Sequence, residues 1–501
     1  MATLIRVVRG PCYPWRVYPR PIPWHIRYTP VALHKRVLVY AVVIAVSVAA
    51  IAGVIRLGET WYAQAVAQPG VATPGAAAPA PPASGHGALA VLIVQLLTIV
   101  LATQVFGSLA SLIRQPAVVG EVAAGLLLGP SLLGQVSPDA YAFLFPPDSF
   151  GVLRLLSQLG VILFMFTVGL DLDPTHLKQR APTAIAVSHF SIVIPYLLGV
   201  ALALALFPHY APRGVPFHSF ALFMGIALSI TAFPVLARVI EERGLTRTPL
   251  GSTAIACAAV DDVTAWTLLA LVVTLVTAGG IGQTLLILVL ALAAFIVLMI
   301  AIVKPLLARF FAAGGEGLTR GRTAMFLTIV LGSALLTELI GIHALFGAFI
   351  AGVIMPANAG LRRQLRERLE SLSSVFLLPI FFAFTGLRTE IGLLNNLGSW
   401  LTCGGIILTA VAGKLVGSML AARWTGSTWH DAFVLGALMN TRGLMELIAL
   451  NVGYDLGILS PEMFTMLVVM ALVTTAMTGP LVDAATRFST VSDRAAVGQH
   501  T

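Results

Sequence analysis

Between Val37 and Val482 the chain returns repeatedly to apolar runs of roughly 18 residues or more, and no soluble core needs so many. Only 10% of its residues are charged, where a soluble domain carries about 25%, and its mean hydropathy is +0.94. Backbone groups in lipid must bond to one another, which leaves helices or a closed barrel. The runs are continuous rather than alternating, so they are not barrel strands. The expected fold class is an all-α polytopic membrane protein.

One run, Ala254 to Ala278, is interrupted in its middle by Asp261 and Asp262. An ionised Asp at that depth costs roughly 2.5 kcal/mol or more, so two adjacent ones mark a functional site. Neighbours on a helix diverge by about 100° and cannot face one point. One of them can hold a cationic side chain while the other faces a water-filled cavity. The cation on offer is Lys414, about sixteen residues into its own run and too deep to snorkel out at ~1.5 Å per residue. The chain has four lysines against twenty-six arginines, so a lysine in mid-span is chemically informative. Arginine stays charged in a protein, whereas a desolvated lysine can cycle between charged and neutral. Two carboxylates and a lysine titrating as a coupled set suit a device in which a proton and a monovalent cation compete for one site.

In chain order, residues 1–36 form a basic arm rich in Pro and Trp that belongs in the cytoplasm. Residues 37–56 form an extra N-terminal helix, a retained anchor or a signal sequence, with Ala65-Val-Ala67 fitting a cleavage pattern. The Ala/Pro/Gly bias of residues 57–86 reads as a linker. Thirteen further spans follow within 87–486: 87–112, 116–134, 151–170, 182–208, 217–241, 250–278, 281–308, 322–340, 342–356, 370–390, 398–422, 430–453 and 461–486, leaving a short tail, 487–501. Charge supports that count. Alternate connections carry Arg114, Lys178, Arg243, Arg320, the cluster Arg362, Arg363, Arg366 and Arg368, and Arg423, whereas the opposite side has only Arg56, Arg154, Arg213 and Arg388. The positive-inside rule then puts both termini in the cytoplasm if the first helix is retained. The net charge of +9 is thus a topology signal rather than a nucleic-acid surface. Cys12, Cys257 and Cys403 are isolated and outline neither a disulfide framework nor a metal site.

A repeat is visible at an offset of seven spans. Gly120-Glu-Val-Ala-Ala-Gly-Leu-Leu-Leu-Gly-Pro130 resembles Gly347-Ala-Phe-Ile-Ala-Gly-Val-Ile-Met-Pro356, and Phe164-Met-Phe-Thr-Val-Gly-Leu170 resembles Phe382-Ala-Phe-Thr-Gly-Leu387. An odd offset reverses direction across the membrane, so inverted repeats over about 116–278 and 342–486 are expected. The same offset pairs two spans with mid-membrane breakers. One holds Ser229, Thr231 and Pro234, the other Asn440, Arg442 and Glu446. Such breaks aim half-helix ends at an ion. Arg442 and Glu446, four residues apart, read as a local pair supporting the break rather than as ion ligands. Glu121, Glu338, His343, Arg388, Asp171 and Asp173 lie nearer span ends and read as interfacial.

Gly120 to Pro130, Ser229-Ile-Thr-Ala-Phe-Pro-Val-Leu-Ala-Arg238, Ala254 to Trp266, Leu378-Pro-Ile-Phe-Phe382 and Met439-Asn-Thr-Arg-Gly-Leu444 together resemble the cation:proton antiporter-2 family, which includes NapA-like sodium/proton antiporters and Kef-type potassium systems. The resemblance covers residues 87 to 486 and implies a thirteen-helix core, leaving the N-terminal helix as an addition. It implies that Asp262 binds sodium (or potassium) and protons, that Asp261 pairs with Lys414, and that Ser229 and Thr231 neighbour the ion. Asp261, where other members have Asn or Gln, implies electrogenic exchange. A homodimer in the cell (inner) membrane is implied too, with no cofactor beyond the transported Na+ or K+ and H+. The Kef-type reading, a potassium efflux protein, is the alternative, and the short tail after Asp483 argues against Kef-like nucleotide gating. A channel suits a titrating site less well. An intramembrane aspartic protease would need carboxylates facing each other, which adjacent residues on one helix do not provide.

Overall fold

The computed structural model describes residues 30–66, 87–113, 115–171, 174–245, 248–277, 283–312, 319–341, 343–356 and 358–497. They fall into two compact units, 1–45 and 46–501. In the first, the described part is the opening of α1 (Pro30–Val66), and all packing below belongs to the second. The basic arm before Pro30, Ala67 at the end of the alternative cleavage pattern and most of the expected linker, 67–86, lie outside the described residues.

After α1 come α2 (Gly87–Leu112), α3 (Ala117–Leu128), the short α4 (Leu133–Val136) and α5 (Pro138–Leu144), then α6 (Phe150–Asp171) and α7 (Pro174–Tyr210). α8 (Phe217–Ser229) and α9 (Phe233–Glu242) are halves of one broken span. α10 (Pro249–Thr277) is followed by α11 (Gln283–Leu298) and α12 (Lys304–Ala312), joined by a π-helical turn, and by α13 (Arg320–Ile340). Next are α14 (Ala344–Val353), α15 (Ala359–Leu372), α16 (Leu378–Leu387) and α17 (Leu397–Trp424). A second broken span, α18 (Trp429–Met439) and α19 (Leu444–Asp455), precedes α20 (Pro461–Val497). Among the described residues eleven helical stretches are long and apolar enough to cross a membrane. The two broken spans and the ten-residue α14 complete the expected first helix plus thirteen.

Several boundaries differ from expectation: α1 begins at Pro30, inside the expected basic arm, and α7 at Pro174 rather than 182. α1 runs to Val66, so the first ten residues of the expected linker are helical. Tertiary packing holds them: Tyr62 Oη donates to the Leu204 carbonyl at 2.7 Å, its ring lies 5.0 Å from Phe207 and 5.7 Å from Phe217, and Glu59 meets His218 Nδ1 at 3.0 Å. The expected tail is helical to Val497, continuing α20. The span expected to begin at 370 begins at Val375, within the π-helical turn Ser373–Leu377 that joins α15 to α16. α15 before it is amphipathic, with Leu361 and Leu365 buried and Arg363 and Arg366 exposed, and a hydropathy window passes over such a helix.

Helix packing sorts the spans into two bundles, linked through α11 and by direct contacts of α16 with α19 and of α3 with α20. In one, the crossing bundle, α7, α8, α9, α10, α17, α18, α19 and α20 pack together; in the other, the glycine bundle, α2, α3, α6, α13, α14 and α16 do so. The two repeated glycine motifs meet crosswise in the glycine bundle. A methyl group added at Gly125 on α3 would lie 2.2 Å from the Ala383 carbonyl oxygen on α16, and one at Gly352 on α14 would lie 2.2 Å from the Phe166 carbonyl oxygen on α6. Only hydrogen fits between backbones this close, which is how small residues let membrane helices pack.

Candidate ion-binding site

Each break in a span orphans backbone donors and acceptors that lipid cannot satisfy. The two breaks lie against each other and share the burden. In the first, Ile230 and Ala232 are extended and Pro234 sits in the opening turn of α9, where its missing N–H costs nothing. In the second, Gly443 adopts φ 154°, ψ −127°, a region that L side chains avoid. The Ala232 amide donates to the Thr441 carbonyl at 3.0 Å, and the Thr475 hydroxyl donates to the Arg442 carbonyl at 2.8 Å.

Arg442 does more than pair locally. Its Nη1 lies 3.0 Å from Glu446 Oε1, as the spacing suggests, but Nη1 also donates to the Ala227 carbonyl at 2.7 Å and Nη2 to the Leu228 carbonyl at 2.6 Å. A fixed positive charge thus caps the carbonyl end of α8, where the helix dipole is negative. Asn440 is buried, with its Nδ2 3.5 Å from the Thr474 carbonyl and its Oδ1 without a hydrogen bond among the described residues.

α10 passes beside the crossing and brings Asp261 and Asp262 to it, both fully buried. Their surroundings are opposite. Ser188 Oγ donates to Asp261 Oδ1 at 2.6 Å, and Ser191 Oγ lies 3.1 and 3.0 Å from the two oxygens. Thr231 Oγ1 is 2.6 Å from Oδ2, with the Met439 carbonyl at 3.1 Å as its other acceptor. Lys414 Nζ, also fully buried, donates to Thr231 Oγ1 at 2.5 Å and to Asp261 Oδ2 at 3.2 Å. Asp261 is therefore saturated with donors from α7, α17 and the first break. By contrast, both oxygens of Asp262 are buried without a hydrogen bond among the described residues, and the donor that faces them is the backbone amide of Phe233, at the positive end of α9.

Of the residues singled out in the sequence, Asp261, Thr231 and Lys414 form one bonded cluster, with Asp262 beside it. Ser229 closes α8 with its hydroxyl on the Ile226 carbonyl at 3.1 Å, and among the described residues no hydrogen bond joins it to either carboxylate. Ser188 and Ser191 escaped notice, although two serines three apart occupy one helical face of the apolar stretch Ala184 to Ile194. Glu338, His343 and Arg388 gather around a cavity of about 250 Å³, together with Arg154, Asn451 and Asp455. Asp173 and the side chain of Asp171 lie outside the described residues.

This constellation can be set against known proteins. The sodium/hydrogen exchanger transmembrane family matches residues 96–486. The chain belongs to that family. The exchanger is 42% identical over 400 residues to the Na(+)/H(+) antiporter NhaS4 of Synechocystis sp., an alignment covering 79% of this chain and 97% of that one. It is 41% identical to cation/H(+) antiporter 17 of Arabidopsis thaliana, covering 79% of this chain and 48% of the relative. With the K(+)/H(+) antiporter 1 of Saccharomyces cerevisiae it shares 36% identity, covering 74% and 43%. The exchanger spans about half the length of the plant and yeast relatives. As a family member it is a multi-pass transporter and not an enzyme.

Proposed function

We propose that this exchanger carries a monovalent cation across the membrane in exchange for protons, with Asp262 as the carboxylate for which the two compete. The observation that carries this reading is the contrast between neighbours: Asp261 has its donors, and Asp262 has none beyond a facing amide. A buried carboxylate without donors is stable with a bound proton or a bound cation, not bare. Either occupant neutralises it, so the loaded site can cross the low-dielectric interior in both directions. Asp261, held by Ser188, Ser191, Thr231 and Lys414, keeps the ammonium beside the site. Lys414 can give up a proton, as an arginine there could not, and supplies the second proton of an electrogenic cycle. Arg442 keeps its charge throughout and holds the two breaks in register.

Sodium is the favoured cation, from the name of the cyanobacterial relative that matches along almost its whole length; potassium is the alternative, from the name of the yeast one. Alternating access would move the crossing bundle, which contains the site, against the glycine bundle, whose crossed glycine contacts suit an inverted repeat and a rigid scaffold. A homodimer formed through that scaffold, the cell membrane and a cytoplasmic C-terminus belong to the same proposal. Proton flux triggered by sodium or potassium in proteoliposomes tests it. Flux that is lost in Asp262→Asn is expected, whereas undiminished flux in that variant, or none with any cation in the wild type, would refute it. Voltage dependence that persists unchanged in Asp261→Asn would remove the electrogenic role given to the Asp261–Lys414 pair.

A further inference from the structure

Asp455 ends α19 in the crossing bundle, at the membrane face poor in Lys and Arg. Each of its oxygens is taken by an arginine of the other bundle: Arg154 Nη2 on α6 at 3.0 Å and Arg388 Nη2, just past α16, at 2.5 Å. Around this double bridge the polar contacts also run from bundle to bundle. Arg388 Nη1 donates to Asn451 Oδ1 at 2.8 Å, and Asn451 Nδ2 donates to Thr385 Oγ1 at 3.0 Å. The Arg388 guanidinium stacks 4.6 Å from the Tyr454 ring on α19 and 5.4 Å from the Phe384 ring on α16. Arg388 and Asp455 are only 15% and 19% exposed, enough burial to lift the pair above an ordinary surface bridge. The cavity of about 250 Å³ lies directly against them.

We propose that Asp455, clamped between Arg154 and Arg388, is the extracytoplasmic latch of the transport cycle. It is a positioning residue that fastens the moving bundle to the scaffold and must let go for the site to open on that side. This rests on the exchange reading above. Three features argue against a merely structural bridge. The latch joins bundles that touch through few helices, it is built from the last turn of the broken span that lies against the site, and it opens onto a cavity lined by residues of both bundles. Loss of the latch shifts the population toward outward-open states, and apparent affinity scales with the population of the competent state.

The test uses full-length protein in liposomes, with Cys12, Cys257 and Cys403 replaced by Ser. Joining Thr385→Cys to Asn451→Cys with a short bifunctional thiosulfonate should cut exchange at least about tenfold, with full recovery on reduction and no effect on either single variant. A bridged protein that still transports at its unbridged rate overturns the latch. Asp455→Asn supplies an independent readout. The apparent KM for the cation should fall about fivefold on the extracytoplasmic side and rise on the cytoplasmic side, and Asp455→Glu should restore both. Equal shifts on the two faces, or none, overturn the proposal. Failure of the wild type itself to exchange cations for protons would refute the functional reading instead.

Discussion

Arg442→Met isolates the charge that holds the two broken spans together. The substitution keeps much of the side-chain volume and removes three bonds, to Glu446 Oε1 at 3.0 Å and to the Ala227 and Leu228 carbonyls at 2.7 and 2.6 Å. Glu446 is fully buried, and its Oε2 lacks a hydrogen-bond partner among the described residues, so the carboxylate loses the positive charge bonded to it. Removing one partner of a buried pair costs about 3–5 kcal/mol. Adding Glu446→Gln takes away the stranded charge, leaving the two carbonyls that have lost charged donors, worth about 1–3 kcal/mol. The double variant should therefore be more stable than the single one by about 2 kcal/mol, although it departs further from the natural sequence. Unfolding in mixed micelles titrated with SDS, followed by tryptophan fluorescence, measures the order. A single variant as stable as the double, or as the wild type, would refute the assignment of Arg442 as the charge shared between the breaks.

Two further substitutions probe packing and the site. Gly125→Ala should destabilise the fold by about 1–3 kcal/mol through separation of α3 from α16, and the same micelle titration checks it, with the open position Gly404→Ala as a near-neutral control. Removing both hydroxyls in Ser188→Ala/Ser191→Ala strips Asp261 of its α7 donors; hydrogen bonds to a charged group are worth about 1.5–3 kcal/mol, so exchange should fall about tenfold or more at unchanged protein yield in the proteoliposome assay.

What the sequence disclosed followed cost. Asp261, Asp262 and Lys414 stood out because charge in mid-span is expensive, and the breaks at Pro234 and Gly443 because each interrupts a helix that lipid would otherwise keep whole. Ser188 and Ser191 did not stand out, since a serine in such a span commonly bonds back to its own helix, as Ser191 also does to the Ser188 carbonyl at 2.8 Å, and only tertiary structure brings Asp261 within reach of both hydroxyls. The pairing of Arg442 with Glu446 was legible from a spacing of four. Its grip on Ala227 and Leu228 was not, because those carbonyls are more than two hundred residues away in the chain. Amphipathic α15 and the last turns of α1 were missed for another reason: tertiary packing, rather than apolar content, holds them helical.

The last turns of α1 are seated on α7 and α8, whereas α2, the next helix in the chain, belongs to the glycine bundle. If one bundle slides past the other, these consecutive helices ride on different bodies, and the covalent order of the chain becomes a ruler. Trp61 near the end of α1 and Leu89 near the start of α2 are both exposed, so dyes attached there would read the stroke of transport as a change in energy transfer, with no label near the ion.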